Sequence, residues 1–199
     1  TVIIATGVVR RKLEIPGEDR FLGAGVSYCA TCDGLFFKDK VATVVGGGNT
    51  ALEDAVYLAG ICEKVYLIHR RDEFRGSRHE VEKVLSNPKI EILYDTIPLA
   101  IEGEGNVSIL KVKNVKTEEE KTLYTSAVFV AVGLVPQNDL FEGKVGMDGG
   151  YISAGENCLT DVPGVFVAGD TRTKSLRQLV TATSDGAIAA TAAANYLDR

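Results

Sequence analysis

Hydrophobic and polar positions fall into two alternating kinds of segment. Short runs rich in β-branched residues predict buried strands, and longer segments with apolar residues three or four positions apart predict helices. The predicted strands cover residues 1–5, 40–45, 64–68, 90–93, 128–132 and 165–168. The predicted helices cover residues 50–60, 77–86 and 175–196. Strands that alternate with helices in this order indicate an α/β, doubly wound, Rossmann-like architecture.

Three segments depart from that alternation. Residues 8–28 predict a loop-rich connection, and residues 97–103 and 107–116 predict a β-hairpin inserted into the fold. The charge run at residues 118–121 predicts a solvated turn. Asn49 is the expected cap of the helix that follows it, and Gly60 is its expected end.

Composition narrows the class of protein. The 199 residues are 45% hydrophobic and 25% charged, which is typical of a globular protein with a buried core. The net charge of −5 gives no general attraction to nucleic acid or to an anionic membrane. We expect no transmembrane span, no secretion signal and a cytoplasmic location. The apolar run that begins at Thr1 predicts an internal strand of a larger protein.

A glycine-rich turn lies between a predicted strand and a predicted helix. In a G-x-G-x-x-A motif of this kind, the first glycine permits the tight turn and the second lets the backbone approach a pyrophosphate. The alanine lets helix and strand pack closely, and the free N–H groups of the helix attract the anion. The alternative is a glycine turn without a ligand. The candidate nucleotide residues are Gly46, Gly47, Gly48, Asn49, Thr50 and Ala51.

The end of the next predicted strand carries cations where an NAD site usually has a carboxylate. The segment reads His69-Arg70-Arg71-Asp72-Glu73-Phe74-Arg75. Guanidinium groups can form paired hydrogen bonds with a ribose 2′-phosphate, so the segment favours NADPH over NADH. The alternative is an ordinary surface charge cluster. We expect Asp72 and Glu73 to face solvent.

The chain has four cysteines, and two of them are spaced Cys-x-x-Cys. A zinc site needs a second such pair or a closely spaced histidine pair, which the sequence lacks, so no metal is expected. Cys29 and Cys32 are therefore interpreted as a redox pair, with the carboxyl group of Asp33 as general acid or base. A buried structural pair is the alternative. Cys62 and Cys158 are assigned to the core.

Together these motifs resemble the low-molecular-weight thioredoxin reductases, which are NADPH-dependent FAD disulfide reductases. Three further segments match in order and spacing, so that the resemblance covers nearly the whole chain. They are Ala131-Val132-Gly133, Ala168-Gly169-Asp170 and Arg177-Gln178.

The resemblance implies two nucleotide-binding domains. An NADPH-binding domain, residues 12–133, carries the redox cysteines, and it is inserted into the C-terminal part of an FAD-binding domain formed by residues 1–11 and 134–199. Gly133 joins the NADPH residues given above, together with His69, Arg70, Arg71 and Arg75. The implied FAD residues are Thr6, Gly7, Gly169, Asp170, Arg177 and Gln178.

The resemblance also implies a mechanism. NADPH reduces FAD, reduced flavin reduces the Cys29–Cys32 disulfide, and the dithiol reduces thioredoxin or a thioredoxin-like protein. Cys32 corresponds to the sulfur nearer the flavin, Cys29 to the attacking thiolate and Asp33 to the proton-handling group. The family rotates its NADPH domain between two states, with hinges expected near residues 10–12 and 133–137. A homodimer is expected.

One departure from the family concerns FAD. The G-x-G-x-x-G motif that holds its adenylate half is absent, so we expect these residues to bind FAD weakly or not at all and to retain NADP(H) binding. Two alternatives are an NADP-binding module without turnover and the reductase portion of a peroxide-reducing flavoprotein. A ferredoxin–NADP reductase is a third, which the dithiol argues against, and a zinc module is a fourth.

Overall fold

The computed structural model describes residues 1–198. The chain forms two compact units, Lys12–Gly133 on the one hand and Thr1–Arg11 with Leu134–Arg199 on the other. The strands are β1 (Val2–Ile4), β2 (Val8–Arg10), β3 (Val26–Ser27), β4 (Val41–Gly46), β5 (Lys64–Ile68), β6 (Ile90–Leu93), β7 (Thr96–Glu102), β8 (Ile109–Asn114), β9 (Glu120–Tyr124), β10 (Ala127–Ala131), β11 (Leu134–Pro136), β12 (Met147–Asp148), β13 (Tyr151–Ile152) and β14 (Val165–Val167). The helices are α1 (Ala30–Asp33), α2 (Asn49–Ala59), α3 (Arg78–Ser86) and α4 (Leu179–Leu197).

The unit Lys12–Gly133 is built on a five-stranded parallel sheet in the order β3-β10-β4-β5-β6. Successive side chains along its central strands point to opposite faces. Ala42 and Val44 belong to the cluster that includes Leu52 of α2, whereas Val45 belongs to the cluster that includes Leu110 of β8. The sheet is therefore covered by helices on one face and by strands β7–β9 on the other. The predicted α/β class is confirmed.

The insert contains one strand more than the predicted hairpin. β7, β8 and β9 form a three-stranded antiparallel sheet. The charge run at residues 118–121 was predicted as a turn, but β9 already begins at Glu120. The turn is limited to the residues around Glu118, whose φ is 62°. Leu123 is the one buried residue of β9, so a hydrophobic pattern is nearly absent from this strand.

Two helix starts also differ from the prediction. Gly48, in extended conformation, caps α2, and Asn49 is its first residue. The Asn49 side chain instead accepts a hydrogen bond of 2.6 Å from the backbone N–H of Ser77. The long C-terminal helix begins at Leu179 and not at residue 175, because Gln178 is extended and forms a capping box with Thr181.

The second unit contains three small sheets. β1 pairs with β14 in parallel, β2 pairs with β11 and β12 pairs with β13, the last two antiparallel. β2, like β3 of the other unit, lies within residues 8–28, which the sequence predicts as a loop-rich connection. Helix α4 packs through Ala189 and Ala193 against Phe166 of β14 and Cys158. No helix among residues 1–198 has the length and apolar character that a membrane crossing needs.

The two cysteines assigned to the core are buried. Cys62 is 1% exposed, and Cys158 is 0% exposed. Burial raises the pKa of both thiols, which keeps them protonated and poorly reactive.

A buried ion cluster fixes the loop before α4. The carboxylate of Asp185 accepts two hydrogen bonds of 2.8 Å from the guanidinium of Arg172 and one of 2.7 Å from Lys174. It also accepts a hydrogen bond of 2.9 Å from the backbone N–H of Gly169. Asp185 and Arg172 are 3% and 2% exposed. The hydrogen bonds from Arg172 hold the pKa of Asp185 well below its usual range. This carboxylate therefore stays ionised and anchors the turn at Gly169.

We expect Asp185→Asn to destabilise the chain by about 3–5 kcal/mol, because the buried Arg172 cation then keeps only the exposed Glu156 carboxylate, 3.5 Å away, as an anionic partner. The folded-state pKa of Asp185 is lowered, so its stabilisation is complete above its ordinary pKa of about 4 and is lost as the pH falls below that value. The difference between wild type and variant should therefore narrow in acid. Urea unfolding at several pH values measures this difference in the free energy of unfolding. Asp148→Asn, at an exposed position, is the matched control and should cost less than about 0.5 kcal/mol. Equal losses in both variants would contradict the assignment.

Candidate functional site

The two predicted redox cysteines form a disulfide. The sulfur atoms of Cys29 and Cys32 are 2.10 Å apart, and the two Cα atoms are 5.3 Å apart. Cys29 caps the one-turn helix α1 and is half-buried, whereas Cys32 within the helix is exposed. The pair is therefore covalently linked at a surface position.

Parallel pairing brings the predicted motifs of this unit to one edge of the sheet. Ser27 pairs with Phe129, Ala131 pairs with Gly46, and Val45 pairs with Ile68. The carboxyl ends of parallel strands lie at the same edge, where α/β proteins bind their ligands. The disulfide follows β3, the glycine turn follows β4, and the arginine segment follows β5. Segments that are distant in the sequence thus share one edge.

Asp33 is held by a residue that the sequence analysis did not single out. The Ser27 hydroxyl donates a hydrogen bond of 2.6 Å to Oδ2 of Asp33, and it accepts one of 3.0 Å from the backbone N–H of Cys29. Ser27 is 5% exposed. A lone serine two positions before a cysteine carries no recognisable signal, so only the folded geometry reveals this contact.

The three glycines of the turn at Gly46–Gly48 differ in what a side chain would contact at each position. A Cβ atom on Gly46 would lie 2.4 Å from the carbonyl oxygen of Ala131 and 2.7 Å from Cβ of Ala51. A Cβ atom on Gly47 would lie 2.2 Å from Nδ1 of His69. A Cβ atom on Gly48 would meet nothing within 4 Å. The first two glycines permit close packing within the protein, and the third faces open space at the start of α2.

That open space suits the pyrophosphate of a dinucleotide. Backbone N–H groups in the first turn of a helix lack intrahelical partners and attract anions. Asn49 and Thr50 are exposed in this turn, and Ala51 is fully buried against Gly46. The residues present therefore fit an NADP(H) phosphate group.

His69 lies beneath the turn. Its ring packs against the position of Gly47, and its Nε2 atom is 2.9 Å from the carbonyl oxygen of Glu73. It is 4% exposed, and burial lowers the pKa of its imidazole, so the ring is neutral at neutral pH. Its position supports the turn from below.

Three predicted arginines occupy the segment after β5. Arg70, Arg71 and Arg75 are all exposed, and within residues 1–198 none of them forms an ion pair. The backbone N–H of Arg75 donates a hydrogen bond of 2.8 Å to the carbonyl oxygen of Gly47, which ties the segment to the glycine turn. These cations are thus available to an anionic ligand at the sheet edge.

The acidic residues among the arginines are exposed, as predicted. Lys116 of the insert binds the Asp72 carboxylate at 2.8 Å and the Asp95 carboxylate at 3.0 Å. The hydrogen bond from Lys116 lowers the pKa of Asp72. Lys116 thus forms an ion pair with Asp72, the acidic residue that directly follows Arg71. Lys116 lies in the turn between β8 and β9, far from Asp72 in the sequence, so no local pattern predicts this contact.

Gly133 ends this unit with a φ of 110°, a left-handed conformation that favours glycine. No group of three or more His, Cys, Asp or Glu residues within residues 1–198 is arranged to hold a metal ion.

The predicted FAD residues lie in the other unit. The Thr6 hydroxyl donates a hydrogen bond of 3.1 Å to Oδ1 of Asn138 and lies 3.0 Å from the Thr171 hydroxyl. Gly7 and Gly169 have φ values of 69° and 81°. Asn138 and Thr171 are buried polar residues that the sequence analysis did not single out.

Asp170 has an unsatisfied oxygen. Its Oδ1 atom is buried and has no hydrogen-bond partner among the described residues. The guanidinium of Arg177 lies 4.0 Å from the ring centre of Tyr151 and donates a hydrogen bond of 3.2 Å to the carbonyl oxygen of Asp170. Gln178 caps α4. A buried acceptor without a donor is rare in folded proteins, so Asp170 fits a ligand hydroxyl such as those of the FAD ribityl chain.

Comparison with known proteins agrees with these features. Residues 1–186 match the family model described as pyridine nucleotide-disulphide oxidoreductase. A thioredoxin reductase of Treponema pallidum (strain Nichols) is 47% identical over 100% of this chain, and the chain spans 64% of that protein.

Two solved structures are similar in fold. The thioredoxin reductase from Giardia duodenalis has a TM-score of 0.92 and 40% identity over 99% of this chain and 65% of its own. The thioredoxin reductase from Streptococcus pyogenes MGAS5005 has a TM-score of 0.90 and 40% identity over 100% of this chain and 65% of its own. With a family match over residues 1–186, and a disulfide at the sheet edge that carries the nucleotide turn, the chain belongs to the pyridine nucleotide-disulphide oxidoreductase family.

Proposed function

We propose that this chain is part of an NADPH-dependent thioredoxin-disulfide reductase. The observation that carries the proposal is the Cys29–Cys32 disulfide at the same sheet edge as the Gly46–Gly48 turn. The relatives named thioredoxin reductase support it, because their similarity extends along the whole chain. In such a reductase NADPH would supply the electrons, FAD would pass them to the dithiol when bound, and the dithiol would reduce thioredoxin or a thioredoxin-like protein.

In this proposal the unit Lys12–Gly133 binds NADPH. The N–H groups at the start of α2 hold the pyrophosphate, and Gly48 keeps the space above them open. Arg70, Arg71 and Arg75 surround the 2′-phosphate as charge-assisted hydrogen-bond donors. His69 keeps the turn in shape from below.

The other unit contributes to the FAD site. FAD supplies the two-electron relay between the nicotinamide and the dithiol when it is bound. In this proposal the unpartnered oxygen of Asp170 accepts a hydrogen bond from FAD. Thr6, Gly7 and Gly169 form neighbouring parts of the same site. Arg177 and Gln178 orient the start of α4 toward the ligand. The chain spans 64% of the length of its curated relative from Treponema pallidum.

The cysteines have distinct proposed roles. Cys32 is the sulfur that receives electrons from the flavin side, and Cys29 attacks the disulfide of the partner protein. Asp33 takes up and returns the proton of the thiol. A homodimer and a cytoplasmic location are further parts of the proposal, and both are supported by the resemblance to the family.

Cofactor preference tests the arginine assignment. We expect Arg70→Ala combined with Arg71→Ala to weaken NADPH binding about 10- to 100-fold, or about 1.4–2.7 kcal/mol in total, because both guanidinium groups are exposed and water weakens their charge-assisted hydrogen bonds. NADH binding should stay unchanged, because NADH has no 2′-phosphate. Isothermal titration calorimetry measures both affinities. Arg78→Ala, which removes an exposed arginine paired with Glu82, is the matched control. Equal weakening for both nucleotides would reject a 2′-phosphate site.

Disulfide-reduction assays test the catalytic assignment. In the complete reductase of which we propose this chain to be part, we expect NADPH to support turnover only when FAD is bound, and we expect NADH to support it poorly. Cys29→Ser and Cys32→Ser should each abolish turnover, since either change removes one sulfur of the pair. Cys62→Ala is the control, because Cys62 is buried and separate from the pair. Turnover that survives Cys32→Ser would exclude the mechanism, and NADPH binding without any turnover would favour a binding module.

A further inference from the structure

We propose that Ser27 is a positioning residue that fixes the Asp33 carboxylate for proton transfer at the Cys29–Cys32 dithiol. The inference rests on the proposed redox function of the dithiol and adds a residue that acts through Asp33.

The hydroxyl of Ser27 connects two parts of the dithiol segment. It donates to Oδ2 of Asp33 at 2.6 Å and accepts from the backbone N–H of Cys29 at 3.0 Å. One oxygen atom therefore sets the position of the carboxylate relative to the backbone of the first cysteine.

The hydrogen-bond inventory favours this arrangement over its competitor. A serine hydroxyl has a single hydrogen to donate. The carbonyl oxygen of Cys29 also lies within reach, but at 3.4 Å, and a shorter contact with a carboxylate is the stronger bond. The hydrogen consequently points to Asp33.

Ser27 itself is held rigidly. It is the last residue of β3, it is paired with Phe129 of β10, and it is 5% exposed. Asp33, in contrast, ends a helix of a single turn, and such a short helix has little stability of its own. The hydrogen bond from Ser27 thus ties the Asp33 side chain of the short helix α1 to the parallel sheet.

The other oxygen of Asp33 is free for chemistry. No hydrogen bond within residues 1–198 involves Oδ1 of Asp33, and the side chain is half-buried. With Oδ2 fixed by Ser27, Oδ1 keeps one defined direction. Holding a catalytic group in one orientation avoids the loss of rotamer freedom at the moment of reaction.

The proton step concerns oxidation of the reduced pair by a disulfide R–S–S–R. The Cys29 sulfur attacks one sulfur, forms a mixed disulfide and releases the first RS⁻ group. The Cys32 sulfur then attacks the Cys29 sulfur, closes the internal disulfide and releases the second RS⁻ group. Two electrons and two protons leave the cysteines, and two R–SH molecules form. Asp33 accepts a cysteine proton and gives it to a leaving RS⁻ group, while Ser27 keeps the carboxylate in place.

The test uses the full 199-residue chain without nucleotide or flavin. The reduced chain is oxidised by bis(2-hydroxyethyl) disulfide between pH 5 and pH 9, and remaining thiols are trapped with a maleimide and counted by mass spectrometry. Because NADPH is absent, the result is independent of electron delivery. Failure of NADPH-driven turnover in the complete reductase would therefore overturn the proposed function and leave this inference standing.

We expect Ser27→Ala to slow oxidation about tenfold at neutral pH and to change the pH profile, since positioned acid–base groups contribute about 100- to 10,000-fold. Ser27→Thr should retain the wild-type profile, because it keeps the hydroxyl. In an Asp33→Asn background, Ser27→Ala should add no further loss, as expected for two residues that act as a unit. Ser86→Ala, which changes an exposed serine of α3, should leave the profile unchanged.

Thermal unfolding of each variant separates positioning from loss of structure. If Ser27→Ala does not fold, Asp33→Glu is decisive, because it keeps the charge but moves the carboxylate away from its hydrogen bond with Ser27. Wild-type rates in Asp33→Glu would overturn the inference. The inference would also be overturned if the rate reductions caused by Ser27→Ala and Asp33→Asn multiplied in the double variant. An unchanged pH profile of the oxidation rate in Ser27→Ala would overturn it as well.

Discussion

The parallel pairing of β3, β10, β4 and β5 is the constraint on which the candidate chemistry depends. Parallel strands end together, so the residues that follow each strand meet at one edge of the sheet. The pairs Ser27–Phe129 and Ala131–Gly46 set this register. A shift of one residue would turn every buried side chain to the opposite face, and the two clusters that cover the sheet would both be lost. Hydrophobic packing therefore determines where the disulfide and the glycine turn at Gly46–Gly48 lie.

The glycine turn shows how tightly packing and ligand binding are coupled. Positions 46 and 47 require glycine because protein atoms already occupy the space of a side chain. At Gly48 that space is open. The neutral ring of His69 fills the volume under Gly47 and brings no charge of its own. The positive charge at this edge thus comes from arginines that have no anionic partner within residues 1–198, and the carboxylate of Asp72, next to Arg71, is engaged by Lys116.

Much of this arrangement follows from local sequence patterns. The strands at residues 64–68 and 90–93 have the predicted bounds, because both are short runs rich in aliphatic and β-branched residues that end at polar residues. The dithiol and the glycine turn are motifs with fixed spacing. The errors arise where contacts between distant segments decide the outcome. β9 carries a single buried residue and forms because β8 lies beside it. Ser27 and Lys116 gain their roles only from side chains that the fold brings near.

Asp185 and Asp33 illustrate how the same kind of side chain serves different purposes. Asp185 lies between Arg172 and Lys174, so its negative charge is compensated and its pKa is lowered. Such a carboxylate keeps its charge at neutral pH and stabilises the turn at Gly169. Asp33 is held through one oxygen by the neutral hydroxyl of Ser27, and its other oxygen faces no donor among the described residues. Cationic partners on both oxygens suit an anchor such as Asp185. A single hydroxyl partner, which orients one oxygen and leaves the other available, suits the proton-handling role proposed for Asp33.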